Sequence, residues 1–312
     1  MKHLFIINPA AGRYNHAGEL RPEIEKVMEN RGEQYEIVLT DYPMHAADIV
    51  RQNALKGAPL RVYICGGDGT LNEAVNGAAG FSNVALTNFP CGSGNDFIRI
   101  FGKDAPRFSN FAELVDGDVR QVDLLESDGR YCVNICSVGF DARVCSGVPK
   151  LKRLPLISGK GAYNLSVFIN LFLGMHHKYK LSIDGKRYDG RFTMIVACNG
   201  RFYGGGFNPV PEALPDDGLI DFLLVGPVNL LTVARVVKKF REGRHTLLPE
   251  YTSWVRGKRA EIKCDRESAV NLDGEIVLKE RLSFSVSKHK LNFIVPKGAL
   301  WTAPDISCMV QA

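Results

Sequence analysis

The first third of the chain alternates short apolar runs with longer segments whose apolar residues recur at helical spacing. HLFIIN (3–8), YEIVLT (35–40), RVYIC (61–65) and NVALTNF (83–89) read as strands. Leu20, Ile24, Val27 and Met28 share one face of a helix expected over 17–31. A second helix is expected over 44–56, and a third follows the glycine-rich stretch after RVYIC. Repeated strand–helix–strand units imply a doubly wound, mostly parallel sheet, because each crossover helix must cover a sheet face. Ligands on such sheets sit at the carboxyl ends of the strands.

From about residue 120 the pattern changes to short strands separated by polar turns. Asp-Gly recurs in SDGR, IDGK, YDGR, DDGL and LDGE, a hairpin signal. A mainly antiparallel β-sandwich is expected, with one clear helix over 229–243 and another near 162–174. The reading is therefore an α/β nucleotide-binding domain over 1–125 and a β-sandwich substrate domain over 126–295. Segment 296–312 is expected to pack back on the first domain, its last ten residues, APDISCMVQA, ending as a frayed tail.

Composition narrows the class. The chain has 312 residues, 45% hydrophobic and 23% charged, the balance of a soluble two-domain protein. A net charge of +5 is too weak to argue for nucleic acid, but suits an anionic substrate or membrane surface. The eight cysteines include no CxxC pair and sit mostly in apolar surroundings, as buried free thiols in a reducing cytoplasm would. No signal peptide is read at the N-terminus. The most apolar segment, Leu165 to Met175, falls short of the ~20 residues of a membrane span.

Three glycine-rich loops follow strands: NPAAG (8–12), GGDGT (66–70) and PCGSGND (90–96). They should converge at one sheet edge, where glycines and helix N-termini offer N–H groups to phosphate. Ordinary readings compete. Thr70 and Glu73 form a capping box on paper, and Ser93 or Asp96 suits a helix cap. The capping box leaves Gly66, Gly67, Asp68 and Gly69 unexplained. NLDGEIV (271–277) reads as a hairpin turn, yet its carboxylates, Asp273 and Glu275, could hold magnesium or accept a proton. PDDGLIDF (215–222) is a similar turn that could bind a hard cation.

In this order and spacing, NPAAG, GGDGTLNEAVNG, PCGSGNDF, PDDGL and LDGE resemble the diacylglycerol kinase catalytic domain family, above all its soluble bacterial lipid kinases. The resemblance runs from Asn8 to about Val295 and implies an ATP- and magnesium-dependent lipid kinase, with ATP held between two domains. It places Asn8, Pro9, Ala10, Ala11 and Gly12 along the ATP phosphates and Thr40 near the nucleotide. Gly66, Gly67, Asp68, Gly69, Thr70, Leu71 and Asn72 would form the main phosphate loop, completed by Gly92, Ser93 and Asn95. Asp68 would act through magnesium or ordered water. Asp273 and Glu275 match the catalytic pair, with the identity of the base left open. A structural Mg2+ would be bound by the Asp217 carboxylate and the carbonyls of Leu214 and Leu219. Two positions depart from the family pattern: Ala11 stands where serine is common, and Ser93 replaces a frequent threonine.

The acceptor would be diacylglycerol or a related lipid, met at a membrane surface by a cytoplasmic, peripherally associated enzyme that need not be monomeric. Segment 147–175 joins Lys150, Lys152, Arg153 and Lys160 to an apolar stretch that could touch the membrane. The competing readings are an NAD kinase-like small-molecule kinase and a non-catalytic lipid-binding regulatory module. NPAAG and LDGE disfavour the first. The second would require damage to Asp68 or Asp273, and both are intact.

Overall fold

The computed structural model of the chain describes residues 1–12, 15–139, 142 and 176–301. The expected helix at 162–174, the basic–apolar segment 147–175 and the tail at 303–312 lie outside the described residues.

Four parallel strands carry the first sheet: β1 (Lys2–Ile7), β2 (Gln34–Leu39), β3 (Leu60–Gly66) and β4 (Val84–Pro90), in the order β2-β1-β3-β4. The crossovers are α1 (Ala17–Glu29), α2 (His45–Ala54) and α3 (Asp68–Ala78). Leu4, Phe5, Ile6, Val62, Tyr63 and Ile64 are each 0% exposed, so burial of near-continuous apolar runs on both sheet faces drives this layer. A 310 segment (Phe97–Ser109) and α4 (Phe111–Val115) lead to β5 (Asp118–Val122). The chain reverses sheet direction between β1 and β3, which puts a ligand crevice at the carboxyl ends of these two neighbours.

The second part is antiparallel. β6 (Leu125–Ser127), β7 (Arg130–Cys132), β8 (Ile135–Gly139), β9 (His177–Ile183), β10 (Lys186–Arg187), β11 (Gly190–Phe192), β12 (Met194–Cys198), β13 (Ile220–Val225), β14 (Thr252–Gly257), β15 (Arg259–Leu272) and β16 (Glu275–Val286) join in one hydrogen-bonded network of 11 strands. A helix, α5 (Leu230–Arg241), lies between β13 and β14, as its periodicity predicts. One apolar core contains Tyr179, Phe222, Ile262 and Phe284, and a smaller one contains Val196, Val210 and Leu223.

The return to the first domain comes earlier than expected. β17 (Leu291–Val295) pairs in parallel with β4 and antiparallel with β5, so it belongs to the first sheet rather than to the sandwich. Phe293, Ile294 and Val295 are 0% exposed there. The apolar run 291–295 fits either sheet by pattern, and only tertiary pairing decides between them.

Candidate active site

The first two glycine loops meet at the crevice between β1 and β3. Asn8 directly follows β1, and its Nδ2 donates to Thr70 Oγ1 at 2.8 Å while its Oδ1 accepts from Ala10 N–H at 2.9 Å. Pro9, Ala10 and Gly12 complete that turn, with Gly12 at φ +83° and Ala11 buried beneath it. Thr40 follows β2, its N–H donating to Ile7 O at 3.0 Å. The third loop lies directly against the second. A Cβ on Gly67 would stand 3.2 Å from Gly92 Cα, so these two backbones approach as only glycines allow. Asn95, at φ 49°, clamps the third loop through both of its amide atoms to the backbone of Gly92. Ser93 is exposed at its tip.

The expected capping box does not form. α3 begins at Asp68, one turn earlier than a Thr70 cap requires. Its N-cap is Gly67, and no side chain caps it. Thr70 instead takes the Asn8 amide, and Glu73 Oε2 accepts from Ala46 N–H of α2 at 3.4 Å. The first helical N–H bonded back into the turn is that of Leu71, to Gly67 O at 3.0 Å. The N–H groups of Asp68, Gly69 and Thr70 therefore remain for an anion at the positive end of the helix dipole. Beside Gly69 there is open space: a Cβ built there meets nothing within 4 Å.

Two residues placed in the phosphate loop by resemblance lie beneath it instead. Leu71 is 1% exposed in the apolar core. Asn72 is 8% exposed and its Oδ1 accepts from Asn76 Nδ2, which also donates to Tyr131 O on β7.

The carboxylates form a second tier. Asp68 Oδ1 accepts the Asp96 N–H at 2.6 Å. Burial, then the Asp96 charge, raise the Asp68 pKa, while N–H groups of Asp96, Phe97 and Asn95 oppose the shift. Asp96, read in sequence as a helix cap, makes no cap bond. Its Oδ2 accepts from Gly205 N–H at 2.8 Å, tying the third loop to the second domain, and its Oδ1 faces Arg99 Nε at 3.0 Å. Sequence reasoning passed over its site role because an Asp opening a helix is the commonest of caps.

Asp273 and Glu275 part company. The turn between β15 and β16 holds Asp273 at φ 48° with its carboxylate buried. The Asp273 oxygens accept from the N–H groups of Val133 (2.6 Å), Asn134 (3.0 Å) and Ile135 (2.7 Å), three successive donors running from the link after β7 into the first residue of β8. Burial pushes its pKa up to about 7, against the pull of these N–H groups, with the Asp68 charge adding to the rise. Glu275 is half exposed and ion-paired to Arg130. Cys132 and Cys136 bracket the three donors, and their sulfurs lie within 4.8 Å of each other and of an Asp273 oxygen.

The turn of Leu214, Asp217 and Leu219 sits at the junction of the sheets. Pro215 O accepts from Asp123 N–H at 2.7 Å, and Asp123 Oδ2 accepts from Gly218 N–H at 2.7 Å. Asp217 Oδ1 accepts from Leu219 N–H at 3.0 Å, and its other oxygen pairs with Arg256. Asp221 shares Arg256, and Lys290 Nζ lies 2.8 Å from Asp123 Oδ1. Burial, then repulsion from Asp123 and Asp217, raise the Asp216 pKa. Four carboxylates thus face two cations, an excess of negative charge that fits a hard divalent ion.

Comparison with known proteins agrees with this architecture. The family model for the diacylglycerol kinase catalytic domain matches residues 2–127, and that for the YegS C-terminal NAD kinase beta sandwich-like domain matches residues 134–295. The chain is 28% identical over 276 residues to "Probable lipid kinase YegS-like" of Shewanella frigidimarina, covering 86% of this chain and 85% of that one. It is 27% identical to "Diacylglycerol kinase" of Bacillus subtilis, covering 86% and 88%. The crystal structure of a diacylglycerol kinase from Bacillus anthracis str. Sterne superposes with a TM-score of 0.68 at 19% identity, covering 96% of this chain and 98% of that one. Among the described residues no helix is long and apolar enough to cross a membrane.

Proposed function

The chain belongs to the diacylglycerol kinase catalytic domain family of lipid kinases, and from that premise we propose that it transfers the γ-phosphate of ATP to the hydroxyl of diacylglycerol or a closely related lipid at a membrane surface. The observation that carries this reading is the uncapped N-terminus of α3, flanked by two further glycine loops and backed by Asp68 and Asp96. Its free N–H groups suit phosphate oxygens. Burial, and after it the neighbouring Asp96 charge, raise the Asp68 pKa, and two carboxylates side by side fit a hard cation held by Asp68 with Asp96 beside it. Magnesium bound there would neutralise charge on the transferring phosphate.

The chain's own residues position the rest. Asp273 spends both oxygens on three N–H groups, so it locks the turn against the segment before β8 rather than offering a free lone pair. Glu275, two residues on, is half exposed with Arg130 on Oε1, leaving its other oxygen to accept the acceptor hydroxyl's proton. Geometry ranks ahead of pKa in choosing a base, which favours Glu275. The reading is tested by ATP consumption against diacylglycerol, monoacylglycerol, sphingoid, phosphatidylglycerol and undecaprenol acceptors. Turnover with diacylglycerol or a close relative is expected. Turnover with NAD, and with none of the lipids, would overturn it.

A further inference from the structure

The outer face of the second sheet carries cations in an arrangement that folding alone does not favour. Lys263 on β15 is in direct register with Lys180 on β9 and with Arg281 on β16. All three are exposed, so three positive side chains stand abreast on adjacent strands. Like charges directly opposite one another destabilise a sheet. The next row on this face is Ser182, Glu261 and Ser283. Nearby carboxylates relieve the row of cations only in part: Asp128, Asp189 and Glu261 share the same surface, and Asp189 feels the Lys180 charge, but each is paired with another cation. Glu261 pairs with Arg259 at 2.9 Å, Asp189 with Arg187, and Asp128 with Lys279 at 3.1 Å. Among the described residues, no carboxylate lies within ion-pair distance of Lys180, Lys263 or Arg281.

These side chains line a concavity of about 740 Å³. Its lining contains no aromatic ring on which a base could stack. The lining includes no residue of the three glycine loops and neither Asp273 nor Glu275. The phosphate cradle of α3 and this face are therefore separate places.

We propose that Lys180, Lys263 and Arg281, with the hydroxyls of Ser182 and Ser283, form a second anion site that binds clustered phosphate oxygens, as carried by a phosphomonoester lipid headgroup or by a free polyphosphate. The bound anion balances the excess of the lining's five cations (Lys180, Arg187, Arg259, Lys263, Arg281) over its three carboxylates (Asp128, Asp189, Glu261). The inference rests on the lipid-kinase reading only in making a lipid headgroup one of its two sources.

The test uses the full chain and the triple variant Lys180→Gln, Lys263→Gln, Arg281→Gln. The probes are inorganic tripolyphosphate, followed by thermal shift and calorimetry, and phosphatidylcholine vesicles with or without phosphatidic acid, followed by co-sedimentation. Wild type should bind at least one phosphate probe, and the triple variant roughly 100-fold more weakly at low salt, about fivefold for each cation removed. Binding to the vesicles alone assigns the site to a lipid headgroup, and binding to tripolyphosphate alone to a soluble anion. With neither probe present, the variant should melt no lower than wild type, because a repulsion has been removed. Failure of wild type to bind either probe outside the ATP cradle, or equal binding by the variant, would overturn the proposal. Phosphorylation of a detergent-dispersed lipid by the variant, measured in parallel, reports on the catalytic reading alone.

Discussion

At the scale of single residues, Asp273 locks the turn and Glu275 is proposed to accept the proton, two roles that LDGE leaves merged. Replacing Asp273 with Asn removes the anionic acceptor of three backbone donors, and unsatisfied buried donors cost about 1–3 kcal/mol. Asp273→Asn should therefore lower Tm as well as kcat. Glu275→Gln keeps the size of a half-exposed side chain, so Tm should hold while kcat falls ~10²–10⁴-fold, the contribution of a positioned base. Normal turnover by Glu275→Gln would remove its role as proton acceptor. The motif located the turn, because Asp-Gly supports a left-handed hairpin. The three N–H donors were invisible in sequence, since they come from Val133, Asn134 and Ile135, about 140 residues away.

At the scale of elements, hydrophobic period was enough to read β1 to β4, α1 to α3 and α5 to within a few residues. Caps were harder. A hydroxyl followed three residues later by Glu is a good local signal, but Asn8 from another strand claims Thr70, and the helix starts at Asp68. Packing between α2 and α3 makes a sharper point. Gly77 sits inside α3, where local propensity favours alanine by about 1 kcal/mol. A Cβ there would lie 2.9 Å from Ala47 Cα and closer still to the Ala47 carbonyl. Overpacking against backbone costs typically ~1–3 kcal/mol, so the clash outweighs the propensity. Gly77→Ala should lower Tm. A higher Tm would mean that the helices separate freely.

At the scale of the whole molecule, several links close one domain onto the other. β17 carries the chain back into the first sheet, and the turn at Pro215 to Gly218 is gripped by Asp123, which lies between β5 and β6. The order of motifs made two domains legible, but not the strand exchange, because an apolar pentapeptide carries no address. If the carboxylate excess at this junction holds magnesium, the ion should stabilise the fold. Added magnesium should raise wild-type Tm by mass action, and Asp217→Ala should respond less. An equal response in both proteins would remove the metal from this turn.

The open N-terminus of α3 is proposed to receive the phosphates of ATP, and Gly69 gives the cleanest access to it. A Cβ added there meets nothing within 4 Å, whereas one on Gly67 presses on Gly92. The measurement is ATP affinity by calorimetry for wild type and Gly69→Val, with Tm taken on both proteins without nucleotide. Gly69→Val should fold with a Tm close to that of wild type and lose ATP binding. A folded Gly69→Val protein that binds ATP as tightly as wild type would contradict the proposal.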